Sequence, residues 1–172
     1  MLLVEDVIEV LDRFTWTSEQ HLRMIVVGGL ALQLYDKSLA RPTIDLDAEI
    51  REGNIDLLDQ FLTENHIPAD LSEDVSHWGM IDIPPGYRGR VKKCVQRKFL
   101  EIGVLDYTDF VISKLRVARQ VDIDDTMKVI AFTGMSEAEI RDAAEASIAA
   151  SVKSTELWKF RQTLDIFFAR RL

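Results

Sequence analysis

Asp45-Leu46-Asp47 is the first place in this chain where residue types and spacing suggest chemistry. On a strand, the two-residue period aims both carboxylates at one side while Leu46 anchors the other. Neighbouring carboxylates repel, and a divalent cation relieves that repulsion; oxygen-rich pairs of this kind suit magnesium or manganese shared with substrate phosphates. Taken alone, the triplet is equally a strand with a solvated polar edge. Gly28-Gly29 upstream adds a complementary feature. Glycines at a strand-to-helix turn let backbone amides approach an anion, although a glycine pair alone can be a tight turn and nothing more.

The elements that must position these residues follow from periodicity. Val4, Val7, Ile8, Leu11 and Phe14 recur at helical spacing and predict an amphipathic opening helix. Arg23 to Val27 reads as a buried strand running into the two glycines, and Leu30 to Tyr35 has helix-forming composition. Thr43 to Ile50 alternates Ile44, Leu46, Ala48 and Ile50 against Thr43, Asp45, Asp47 and Glu49, which predicts a strand with two unlike faces. Asn54 caps a helix that turns Ile55, Leu58, Phe61 and Leu62 inward, and Pro68 ends that segment. Further strands are expected at Trp78 to Ile83, through Val91 to Val95 after the Pro84-Pro85-Gly86 breaker, and at Leu100 to Leu105. Beyond Asp106 the pattern is helical: Thr108 to Arg119, Ile123 to Phe132, Ser136 to Ala150 and Thr155 to Arg171, with Gly134 as a stop and Ser136/Glu139 as a capping box. The fold class is α/β (α+β), a mixed sheet flanked by helices, with a core over residues 1–105 and a C-terminal helical region over 106–172.

Gly28, Gly29, Ala31, Arg41, Thr43, Asp45 and Asp47 together resemble the polymerase-beta-type nucleotidyltransferase superfamily, and within it the small prokaryotic branch of AbiEii-like toxin enzymes and their uncharacterised relatives. That resemblance implies transfer of a nucleoside monophosphate from a nucleoside triphosphate (NTP) to an acceptor hydroxyl, with magnesium or manganese as cofactor. It implies that Asp45 and Asp47 are catalytic metal ligands, and that the segment from Met80 to Arg88 supplies a third acid, Asp82, with Glu101 as the competitor. Asp82 could also take the acceptor's proton. It further places Gly28, Gly29 and Thr43 against the nucleotide and lets Lys114 reach the triphosphate. Lys114 could equally lay its stem on apolar surface with its head in water, and Arg119, Asp122 and Asp125, recurring every third residue, are expected to pair locally. The acceptor is left open among RNA such as a transfer RNA end, a protein hydroxyl, a small antibiotic or another hydroxyl, and an antitoxin partner or a homo-oligomer is compatible with the resemblance.

Composition bounds these readings. With 172 residues, 47% of them hydrophobic, the chain can bury a full core. No apolar stretch is long enough to cross a bilayer and the opening residues are acidic, so a cytoplasmic, membrane-free protein is expected. Cys94, the only cysteine, forms no internal disulfide, and His21, His66 and His77 lie at no ligand or triad spacing. A net charge of -8 disfavours a broad nucleic-acid footprint. The one local exception is Arg88, Arg90, Lys92, Lys93, Arg97 and Lys98, either a solvated hairpin or an edge along which a phosphate-rich substrate lies. Two rival functions remain. One is a catalytically inactive nucleotide-binding or protein-interaction module of the same fold, with Trp158, Leu164, Phe167 and Phe168 as apolar surface or, more readily, core; the other is a metal-dependent glycosyltransferase.

Overall fold

A computed structural model describes residues 2–169, so the last two residues of the expected helix ending at Arg171 lie outside the described residues. The chain divides into two compact units, Met1–Asp74 with Val91–Leu105, and Val75–Arg90 with Asp106–Leu172. The first contains α1 (Val4–Ser18), β1 (Leu22–Val26), α2 (Leu30–Tyr35), β2 (Leu46–Glu52), α3 (Ile55–Glu64) and β3 (Ala69–Ser72). The second opens with α4 (Tyr87–Arg90), after which β4 (Lys92–Gln96) and β5 (Leu100–Val104) complete the first. The helices α5 (Tyr107–Leu115), α6 (Gln120–Thr133), α7 (Glu137–Ala150) and α8 (Thr155–Ala169) complete the second.

The sheet of the first unit is mixed, in the order β3-β2-β1-β5-β4. Strand β1 runs antiparallel to β2 and parallel to β5, while β3 is parallel to β2 and β4 antiparallel to β5. Period-two patterning makes one face apolar: Leu22, Met24 and Val26 on β1, Leu46, Ala48 and Ile50 on β2, and Leu100, Ile102 and Val104 on β5 are all buried. Helix α1 places Val4, Val7, Leu11 and Phe14 in the core, and α3, capped as expected by Asn54, adds Leu58 and Leu62. The other face carries charge, with Arg23 paired to Glu52 and Glu101 and Arg51 paired to the fully buried Glu49.

Two strands differ from the sequence reading. The strand expected from Thr43 begins only at Leu46, and Ile44, expected inward, is exposed, because the main chain from Arg41 to Asp45 makes no ladder. The strand expected at Trp78 to Ile83 is absent; a 3-10 turn covers Val75–Trp78, and irregular chain follows. Side chains stand in for a ladder there. Arg116 donates to the carbonyls of Val75 and Ile81, Ser151 Oγ accepts from the Asp82 amide at 2.8 Å, and Arg90 donates to the carbonyls of Pro84 and Pro85 while holding Asp109. These partners all belong to the second unit, which explains why residues 75–90 group with the helices instead of the sheet.

Within that unit α5 is central, buried from Asp109 to Leu115 and in contact with α6, α7 and α8. It stops earlier than Arg119 because the chain turns through Ala118 at φ 57, with the Ala118 amide donating to the Lys114 carbonyl. Ser136 and Glu139 form the expected capping box, and Gly134 at φ 72 closes α6. On α8, Leu164, Phe167 and Phe168 are buried, whereas Trp158, read as a core candidate, is exposed. No helix among the described residues is long and apolar enough to cross a membrane.

Lys114 is enclosed, with its ammonium 3.3 Å from Asp122 and 3.7 Å from Asp125, and Arg119 adds a 2.8 Å bond to Asp122. Burial alone would push the Asp122 carboxyl up, but the bonds from Arg119 and the charge of Lys114 overcome it and hold the group below the ordinary carboxylate range. A depressed acid contributes stability above its unfolded pKa and loses it as pH falls through the folded one, so the contribution of Asp122 is lost only below the ordinary carboxylate range. Lys114→Met leaves two buried carboxylates without their ammonium and is expected to cost about 3–5 kcal/mol in urea unfolding at neutral pH. The loss should shrink as pH drops below the carboxylate range; a pH-independent loss would contradict the ion-pair account.

Candidate functional site

The topology gathers one end of the sheet. Strand β1 ends at Val26 and passes through Val27 into Gly28-Gly29; β2, antiparallel to it, begins there, and β3, parallel to β2, begins there too. The Val27 amide donates to the Asp47 carbonyl at 3.0 Å, which brings the D-x-D segment beside the glycine turn.

The close contacts at the glycines are specific. A Cβ built on Gly28 would lie 1.9 Å from Asp47 Oδ2, 2.7 Å from its Cγ and 2.9 Å from its Cβ, so the Asp47 carboxylate rests directly on the Gly28 main chain. A Cβ on Gly29 would lie 2.7 Å from Nη2 of Arg41 and 2.8 Å from its Cζ, so the guanidinium lies over the second glycine. Gly29 has φ -61, a conformation any residue adopts, and neither glycine is at positive φ. Space, and not backbone angle, makes glycine necessary. Arg41 also donates to the Pro42 carbonyl at 2.9 Å, and both glycines are buried.

Asp45 stands one residue before the β2 ladder and accepts a 3.1 Å bond from Thr43 Oγ1 on its Oδ1. Thr43, expected against the nucleotide, is itself buried and spends its hydroxyl on Asp45. Strand β3 was not foreseen, because Pro68 and four half-polar residues hid it. It places Asp70 in register with Asp47 on the adjacent parallel strand. In-register neighbours in adjacent strands project to the same face, with strands about 4.8 Å apart. Ala69-Asp70-Leu71 has the same apolar-acid-apolar alternation as Ile81-Asp82-Ile83, and that alternation is the sequence signal for this strand.

The other expected residues fall elsewhere. Asp82 is on irregular chain of the second unit, so the strand geometry that recommended it is missing. Glu101 sits in register with Arg23, three residues from the end of β5 that borders Val26, or about 10 Å along the strand. It is engaged by Arg23 at 3.5 Å and Lys93 at 3.4 Å. Lys114 lies in the buried cluster of the second unit. The basic run is dispersed into separate contacts: Arg90 on Asp109, Lys93 on Glu101, Arg97 on Glu9 and Asp12, and Lys98 over the rings of Trp16 and Phe99.

Over residues 4–165 the chain matches the family described as "Nucleotidyltransferase of unknown function (DUF6036)". The chain belongs to this family. No curated protein and no solved structure matches it. The nucleotidyltransferase resemblance carried by the glycine turn and the D-x-D motif therefore holds at family level, and the mixed α/β fold is consistent with it.

For this DUF6036 chain the donor set can be tested against a metal. Among the described residues no three acidic, His or Cys side chains gather into a cage. Magnesium is commonly held by one or two carboxylates, with substrate phosphates and water completing its shell, and Asp45 and Asp47 suit that mode. The glycine contacts give a direct test. Gly28→Ala drives a methyl into Asp47 Cβ and Cγ, which the strand fixes, whereas the nearest atoms to a methyl in Gly29→Ala are those of the Arg41 guanidinium, the far end of a long side chain. Urea unfolding is expected to show a loss of about 1–3 kcal/mol for the first and less than about 1 kcal/mol for the second. Equal losses would show that the Asp47 contact is not what requires glycine.

Proposed function

We propose that this end of the sheet is the catalytic edge of a metal-dependent nucleotidyltransferase, which moves a nucleoside monophosphate from an NTP to an acceptor hydroxyl. The observation that supports it above all is the Asp47 carboxylate lying against the Gly28 main chain, beside Arg41. One carboxylate for a cation, Asp47, is within contact distance of the glycine turn.

In this reading Asp45 and Asp47 would hold magnesium together with the substrate phosphates, and Asp70, in register with Asp47, serves as a neighbouring acid outside the metal's ligands. Bound there, the metal would neutralise charge at the attacking and leaving oxygens of an in-line displacement. The turn at Gly28-Gly29 admits the phosphates once the Arg41 guanidinium shifts from Gly29, and Arg41 then supplies positive charge to them. The acceptor oxygen bonds to the α-phosphorus, the bridging bond to the β-phosphate breaks and pyrophosphate departs, while the hydroxyl proton passes to a carboxylate within hydrogen-bond reach, a role this reading gives to Asp70. Positioning and charge neutralisation account for most of the rate.

Incubation with each α-labelled NTP, magnesium and cell extract is expected to label one macromolecule, whose sensitivity to ribonuclease or protease identifies the acceptor class. Asp47→Asn and Asp70→Asn should each reduce labelling on the order of a hundred- to a thousandfold, and Glu101→Gln should leave it intact. Loss in Asp82→Asn with retention in Asp70→Asn would move the proton-accepting role to Asp82. No label from any of the four, together with no NTP binding, would favour the inactive binding module.

A further inference from the structure

Asp45 and Asp47 are held in different ways. Asp47 lies inside the ladder, with its carbonyl bonded to Val27 and its strand paired on both sides. Asp45 precedes the ladder and has no such support. What it has instead is a continuous series of hydrogen bonds leading back to α2. Thr43 Oγ1 donates to Asp45 at 3.1 Å, and the Thr43 carbonyl accepts from the Leu2 amide at 2.8 Å. The Leu2 carbonyl accepts from Gln33 Nε2 at 3.2 Å, and Gln33 Oε1 accepts from the Val4 amide at 3.0 Å. Gln33 belongs to the helix that begins right after Gly28-Gly29. Its amide thus grips both sides of the Leu2–Val4 segment, and that segment grips the loop carrying Asp45.

We infer that Gln33, acting through the Leu2–Val4 segment and Thr43, is a positioning residue that fixes Asp45 relative to the glycine turn. The role rests on the proposed reading of Asp45 as a metal ligand. A donor and an acceptor are both needed at position 33, which Gln supplies and Leu does not. Groups that orient a metal ligand without touching the metal typically change affinity tenfold to a hundredfold when removed. Because the bonds lie in series, breaking one link should leave little for a second break to do.

The test uses manganese alone as the probe, with binding followed by electron paramagnetic resonance, and hydrogen exchange at the Leu2 amide, which donates to the Thr43 carbonyl, as an independent readout. Gln33→Leu and Thr43→Val are each expected to weaken manganese binding about tenfold or more. The double variant should be no weaker than the worse single one, and Gln33→Leu should accelerate exchange of the Leu2 amide. Unchanged exchange in Gln33→Leu overturns the series whatever the metal does. Additive losses in the double variant also overturn it, because they mean that Gln33 and Thr43 act separately. If exchange responds but the unsubstituted protein binds no manganese, the site reading fails, and with it the positioning role, leaving only a structural brace.

Discussion

The contact between the Asp47 carboxylate and the Gly28 Cα is the constraint on which the rest of the first unit depends. A side chain at position 28 cannot coexist with it, and Asp47 cannot retreat because β1 and β3 flank its strand. The apolar face beneath it, from Leu46 through Ile50 and across β1 and β5, allows the sheet to hold an acid-bearing edge without collapsing onto it. Burial of that face under α1, α2 and α3 supplies the stabilisation that an edge of adjacent carboxylates works against.

Charge is managed locally throughout this acidic chain. Six basic residues crowded between Arg88 and Lys98 read as either a solvated hairpin or a phosphate-binding edge, and those whose partners are described contact nearby acids or aromatic rings. Lys114 is spent likewise, on Asp122 and Asp125. Arg41 lies with its guanidinium over the Gly29 backbone, next to the Gly28 that Asp47 contacts. A polyanionic substrate meeting an acidic protein needs such a cation at the point of contact, because a net charge of -8 offers no long-range attraction.

Much of this was legible in the sequence because it rests on short-range periodicity. Gly28-Gly29 between an apolar strand and a helix, Leu46 between two acids, Asn54 and Ser136 as caps, and Gly134 as a stop each name their local structure without reference to distant residues. The placement of Asp70 beside Asp47 was not legible in that way. Asp70 and Asp82 both stand between apolar neighbours, and only strand pairing distinguishes them: residues 69–72 are recruited by β2, whereas residues 75–82 are held by Arg116 and Ser151 from the helices. Lys114 escaped for a similar reason, because its enclosure depends on a turn through Ala118 that brings Asp122 and Asp125 back against α5. Helical spacing on a single element could not reveal that return.

The most direct measurement is paramagnetic broadening of backbone NMR signals by manganese in the presence of a non-hydrolysable NTP analogue. Broadening centred on Gly28, Asp45, Asp47 and Asp70 is expected. Broadening centred on Asp122 and Asp125 instead, or none that depends on the nucleotide, would contradict a metal and triphosphate site at the glycine turn.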